Sequence, residues 1–133
     1  MVSQQRPIGC PFGYRSTARD VVEGLDLSGK RVLVTGGYSG IGTETVRALA
    51  EAGADVLVGA RRPAQAEDVL AAMDGTIAVL PLDLSDPASI DTFAAAVAER
   101  WDRVDVLINN AAVMACPLTR DARGYESQFA TNH

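Results

Sequence analysis

Histidine and lysine are almost missing from this sequence: the one histidine is His133 and the one lysine is Lys30. A histidine-rich metal site is thereby excluded. Two cysteines, Cys10 and Cys116, stand without a Cys-x-x-Cys partner or metal-ligand spacing. They make no disulfide framework and read as free thiols of a reducing compartment. No apolar run reaches the roughly 20 residues of a membrane span, and residues 1–7 lack the apolar core of a signal peptide. Basic residues are in deficit. The net charge is −5, and the scattered arginines form no patch of the kind that binds nucleic acid. No Gly-x-Ser-x-Gly elbow occurs, so an acyl-transfer or hydrolytic enzyme finds no support. A soluble, cytoplasmic protein is the expectation.

What is present is a core-forming chain of one domain's length, 133 residues with 47% apolar content. Aromatics make up only 5%, and small and branched aliphatic residues take their place. The most informative stretch is Thr35-Gly36-Gly37-Tyr38-Ser39-Gly40-Ile41-Gly42. It follows the β-branched run Val32-Leu33-Val34 and precedes an amphipathic pattern at Val46, Leu49 and Ala50. A glycine-rich turn between a strand and a helix is a phosphate cradle. Glycine lets the backbone turn tightly and approach a ligand, and the free N–H groups of the helix start face the anion. A dinucleotide is the expected ligand.

Residues 1–29 read as an extension packing on the outside of the domain, with a short helix from residue 16 or 17 through 22 and Ser16 as its N-cap. From residue 30 the pattern alternates. Strands are expected at 31–35, 55–59, 76–81 and 104–109. Helices are expected at 40–52, 63–73 and 86–101, the first closed by Gly53 and the third capped by Ser85 or Asp86. A last helix is expected to begin near Asp121 or Gly124. Three of the strands are apolar on consecutive residues, the mark of strands covered on both faces. The fold class is therefore α/β: a doubly wound parallel sheet of the Rossmann kind, incomplete, with about four strands in the order 3-2-1-4. Strand four would be an open apolar edge. The ligand site is expected at the carboxyl ends of strands one and four, where the strand order reverses.

Together these motifs resemble the short-chain dehydrogenases/reductases, and most closely their retinol-dehydrogenase-like branch. The resemblance rests on the spacing of Gly36, Gly40 and Gly42, on Leu82-Asp83-Leu84, on Asn109-Asn110-Ala111-Ala112, and on the segment from Gly124 to Asn132-His133. It implies a nicotinamide cofactor, a small carbonyl or alcohol substrate, and homo-oligomers in many members. It gives Asp83 and Leu84 a place at the adenine and Asn109 the structural task of tying strand four to its neighbours. It gives Asn132 a catalytic role, holding a water in a proton relay. Thr35, Gly36, Tyr38, Ser39, Gly40, Ile41 and Gly42 would hold the cofactor with Asn110, Ala111 and Ala112. Ala112 departs from the family's usual glycine. Arg61 and Arg62 follow strand two, where an acidic residue would bind a free ribose hydroxyl and an arginine a 2′-phosphate. NADP is therefore expected over NAD. Arg62 fits a solvated position before a helix equally well.

The same resemblance implies a serine and a Tyr-x-x-x-Lys pair as the proton-transfer machinery. The tyrosines are Tyr14, Tyr38 and Tyr125, and four residues after them stand Ala18, Gly42 and Phe129. The expectation is an oxidoreductase's N-terminal portion, inactive alone, with those residues lying beyond His133. The alternative is a non-catalytic nucleotide-binding or interaction module.

Overall fold

The structure, a computed structural model, describes residues 9–133. The first eight residues of the expected 1–29 extension lie outside them. Four strands form one sheet: β1 (Arg31–Thr35), β2 (Asp55–Ala60), β3 (Thr76–Pro81) and β4 (Val106–Ile108). All pairs are parallel, in the order β3-β2-β1-β4. Val32 pairs with Val56 on one side and Val106 on the other. Among the described residues there are five helices: α1 (Ala18–Val22), α2 (Gly40–Glu51), α3 (Pro63–Leu70), α4 (Pro87–Arg100) and α5 (Ser127–Asn132).

The consecutive apolar residues of the strands divide between two cores. Val32, Val34, Val56 and Val58 point to one face and pack with Val46 and Ala50 of α2 and Leu70 of α3. Leu33 and Leu57 point to the other and meet Phe93 and Val97 of α4 and the following Trp101. Neighbouring side chains on a strand alternate faces, so a strand covered twice needs apolar residues throughout. Burial of each such Val or Leu is worth about 1.5–3 kcal/mol over exposure. Trp101 adds an anchor across the sheet end, donating from Nε1 to Asp55 Oδ2 at 3.0 Å. On the first face, α1 and its flanks lie against α2 through an Arg19–Glu51 ion pair at 2.7 Å. Leu27 N–H also donates to Ala52 O at 2.8 Å.

Several boundaries differ from the sequence reading for local reasons. The cap of α1 is Thr17, not Ser16: Thr17 and Asp20 exchange bonds at 2.8 and 3.2 Å. The Ser16 hydroxyl instead accepts from Gly13 N–H at 3.0 Å. The second cap choice resolves to Asp86, which accepts from Ala88 N–H. Helix α3 stops at Leu70, three residues early, and the chain turns through Gly75 at φ +104°. Helix α5 begins at Ser127. Asp121 does not cap it. Its carboxylate folds its own turn, accepting from the N–H groups of Arg123 and Tyr125 at 2.9 Å each. Glu126 is the cap, accepting from Gln128 and Phe129 N–H.

Strand β4 is three residues long rather than six. After Ile108 the chain turns away from the ladder, and Asn110 N–H goes to Ile108 O and the Thr35 hydroxyl. Among the described residues its outer side has no strand beside it, and Val106 and Leu107 are 43% and 57% exposed. An apolar edge invites pairing with another chain, and a charge on it opposes this. Leu107→Lys is expected to reduce self-association in sedimentation velocity with an unchanged circular dichroism spectrum. Identical sedimentation of the two proteins would clear the edge of that role. Among the described residues, no helix is long and apolar enough to cross a membrane.

Candidate functional site

The cleft opens at the carboxyl ends of the strands, where the order reverses between β1 and β4. It is a cavity of about 510 Å³. The glycine turn after β1 forms its floor. Arg61, Arg62 and Gln65 stand on the β2 flank with Leu82-Asp83-Leu84 beyond, and the chain from Asn110 to Val113 forms the β4 flank.

The turn is shaped by close packing. Gly36 has φ +64°, and a Cβ placed there would lie 2.9 Å from that of Ala111. A Cβ on Gly42 would lie 2.5 Å from Asn110 Nδ2 and 2.8 Å from Gly36 O. Gly42 and Gly40 do not line the cavity. Gly42 lets the helix start pass close to the turn, and Gly40 supplies a backbone bend at φ +54°. Ser39, the N-cap of α2, makes no side-chain cap bond, and no acidic residue stands in the first turn. The first N–H groups of α2 thus keep their capacity for an anion. Ile41 lies over this end, 83% exposed.

The β4 flank is fastened to the turn by Thr35 and Asn110. The Thr35 hydroxyl, on a residue only 4% exposed, accepts from the N–H groups of Asn110 and Ala111 at 3.1 and 3.0 Å. Asn110 Nδ2 donates to the carbonyls of Thr35 and Gly36 at 2.9 and 3.1 Å. The tie expected of Asn109 is therefore made by Asn110, while Asn109 is exposed. The backbone turn after Ile108 presents the second asparagine, not the first, to β1.

On the other flank, Asp83 is already partly engaged within the chain. Its Oδ1 accepts from Ser85 N–H at 2.9 Å and the Ser85 hydroxyl at 2.6 Å. The hydroxyl is the main reason its carboxyl is held below the ordinary value. Burial opposes this, and the charge of Arg61 assists weakly. Asp83 is thus an anion facing the cleft with one oxygen engaged. Arg61 and Arg62 form no ion pair among the described residues, so both guanidinium groups are available to a ligand.

Asn132 does not line the cavity. Its Oδ1 accepts from Val113 N–H and its Nδ2 donates to Val113 O, both at 2.8 Å. It clamps α5 to the β4 flank. Its neighbour Thr131 reaches the cavity instead, as do Val113, Gly59, Leu82 and Gln65, which sequence reasoning missed. Gln65 was within reach: it stands three residues after Arg62, one turn into α3. Val113 and Thr131 carry no motif and are brought in only by the clamp.

Residues 30–132 match the sequence profile of the family described as short chain dehydrogenase. A "Probable oxidoreductase" of Streptomyces antibioticus is 50% identical over 116 residues, covering 82% of this chain and 38% of the relative. "Retinol dehydrogenase 12" of Bos taurus is 39% identical over 114 residues, covering 82% and 36%. The solved structure "Pseudomonas aeruginosa RhlG/NADP active-site complex" superposes with a TM-score of 0.66 at 36% identity, covering 80% and 43%. The chain thus spans less than half the length of these relatives. The glycine turn under an uncapped helix start, the unpaired arginines after β2 and the Asn-Asn-Ala-Ala flank all fall within the matched residues, and the chain belongs to the short-chain dehydrogenase family.

Proposed function

We propose that this chain binds NADP(H) in preference to NAD(H), as the cofactor-holding portion of an oxidoreductase acting on a small carbonyl or alcohol. The carrying observation is the β2 flank, where two unpaired arginines and no acid follow the strand. A planar guanidinium can hold a phosphate with two hydrogen bonds. The residues fit the cofactor. The uncapped N–H groups of α2 suit a pyrophosphate, and a side chain at Gly36 would strike Ala111. Thr35 to Gly42 would hold the pyrophosphate, Arg61 and Arg62 the 2′-phosphate, and Asp83 and Leu84 the adenine. Asn110, Ala111 and Ala112 would border the nicotinamide half. When bound, the nicotinamide donates or accepts a hydride. This chain's own part is to bind and orient it. No residue of the chain is assigned the proton transfer, because none of its tyrosines is followed four positions on by lysine. Asn132, fastened to Val113, supports the wall beside that chemistry.

Calorimetric titration with NADPH and NADH tests the preference. Arg61→Asp is expected to weaken NADPH binding by about tenfold or more, the scale of one charge-assisted hydrogen bond, and to favour NADH. Equal affinities of the unaltered chain for both cofactors would remove Arg61 from the site. A second reading is a nucleotide-binding module without catalysis. NADPH consumption with any of a panel of ketones and aldehydes would exclude that second reading.

A further inference from the structure

The β4 flank of the cleft is a stretch of chain without regular structure, and its shape is set from outside. One end is fastened by Asn110 to the glycine turn. The other is held by α5, whose Asn132 and Gln128 lie four residues apart and so on one face of the helix. Asn132 grips Val113. Gln128 Oε1 accepts from Ala115 N–H at 3.1 Å. Ala115 has φ +55° and is the one non-glycine residue with a positive φ among the described residues. L-residues resist that conformation, since Cβ crowds the carbonyl oxygen, so something must hold it there. The start of α5 is itself fixed: Glu126 accepts from Gln128 and Phe129 N–H. Gln128 does not line the cavity.

Given NADP(H) as the occupant of the cleft, we propose that Gln128 is a positioning residue. Its amide oxygen holds Ala115 in the left-handed region and so sets the wall, Ala112 and Val113, that meets the nicotinamide half of the cofactor. The adenosine half lies past β2, across the glycine turn, and is untouched by this contact. The role therefore predicts a split between two ligands. Adenosine 2′,5′-bisphosphate reports the Arg61 end alone, and NADPH reports both ends.

The experiment is calorimetry of the full chain with both ligands, joined to hydrogen exchange of the Ala115 amide. Gln128→Met removes the acceptor at similar length. It is expected to speed Ala115 exchange and weaken NADPH by about fivefold, one hydrogen bond's net worth. The bisphosphate affinity should stay within about twofold, inside ordinary variation at a distant site. Gln128→Glu keeps an acceptor and should bind as the unaltered chain does. Adding Ala115→Gly to Gln128→Met should recover most of the lost affinity, because glycine adopts a positive φ without help. Unchanged NADPH affinity in Gln128→Met overturns the proposal, as does equal weakening of both ligands or no recovery with Ala115→Gly. If the unaltered chain binds neither ligand, the cofactor reading falls and this role falls with it.

Discussion

Gly42→Val is expected to abolish measurable NADPH binding and to destabilise the chain. The reason lies in two distances. The new Cβ would stand 2.5 Å from Asn110 Nδ2 and 2.8 Å from Gly36 O. The second atom belongs to the backbone of the turn itself, so the helix start or the turn must move. Overpacking of this kind costs about 1–3 kcal/mol. A displacement of about 1 Å at a binding site lowers its function about hundredfold. The informative control is Gly40→Ala. There the added Cβ meets nothing within 4 Å, and the only cost is φ +54°, about 1–2 kcal/mol for an L-residue. Thermal unfolding and calorimetry should rank Gly42→Val as the worse in both respects. The opposite ranking would mean that the bend at Gly40, not the close approach at Gly42, governs the turn.

The second large effect is expected from Thr35→Val, a change that keeps the side chain's shape. Thr35 is the one buried polar residue among the described residues, and its hydroxyl is the acceptor for both Asn110 and Ala111 N–H. Valine leaves Ala111 N–H without a partner beneath the cleft wall and leaves Asn110 N–H with Ile108 O alone. A buried polar group left unsatisfied costs about 1–3 kcal/mol, so Thr35→Val should lower stability by about that amount in urea titration. Thr35→Ser keeps the hydroxyl and loses a methyl, about 1 kcal/mol. If serine proves as harmful as valine, the methyl's packing and not the hydroxyl would be the source of the effect. The NADPH site should weaken in step with the Asn110 tie, because Asn110, Ala111 and Ala112 hang from it.

These two positions differ in how visible they are before folding. Gly42 belongs to a spaced glycine motif between a strand and a helix, and the need for glycine follows from the motif's geometry. Thr35 reads as the last residue of a β-branched strand. Nothing in its neighbourhood announces that its hydroxyl will meet a segment 75 positions away. The same division runs through the asparagine pair. Asn109 and Asn110 are chemically identical, so only the backbone turn after Ile108 decides which amide faces β1. Asp83 was legible as a cleft residue, but its bond to Ser85 depends on a local turn that competes with capping. The sequence reading begins the last helix near Asp121 or Gly124 and gives no sign of Glu126 as its cap. Asp121 is taken up by Arg123 and Tyr125, which leaves Glu126 to begin the helix.

The sequence by itself determined the doubly covered parallel sheet, its order and the end at which a ligand can sit. Consecutive apolar residues demand two covering layers, strand–helix alternation demands parallel crossovers, and glycine spacing demands a cradle. These are short-range constraints, written within a few residues of where they act. Only the tertiary structure decided which groups close the cleft: Thr35 under Asn110, Asn132 on Val113, Gln128 on Ala115. Each joins residues separated by a helix, a loop or most of the chain. A hydrogen bond has no signature in the sequence until folding brings donor and acceptor within about 3 Å.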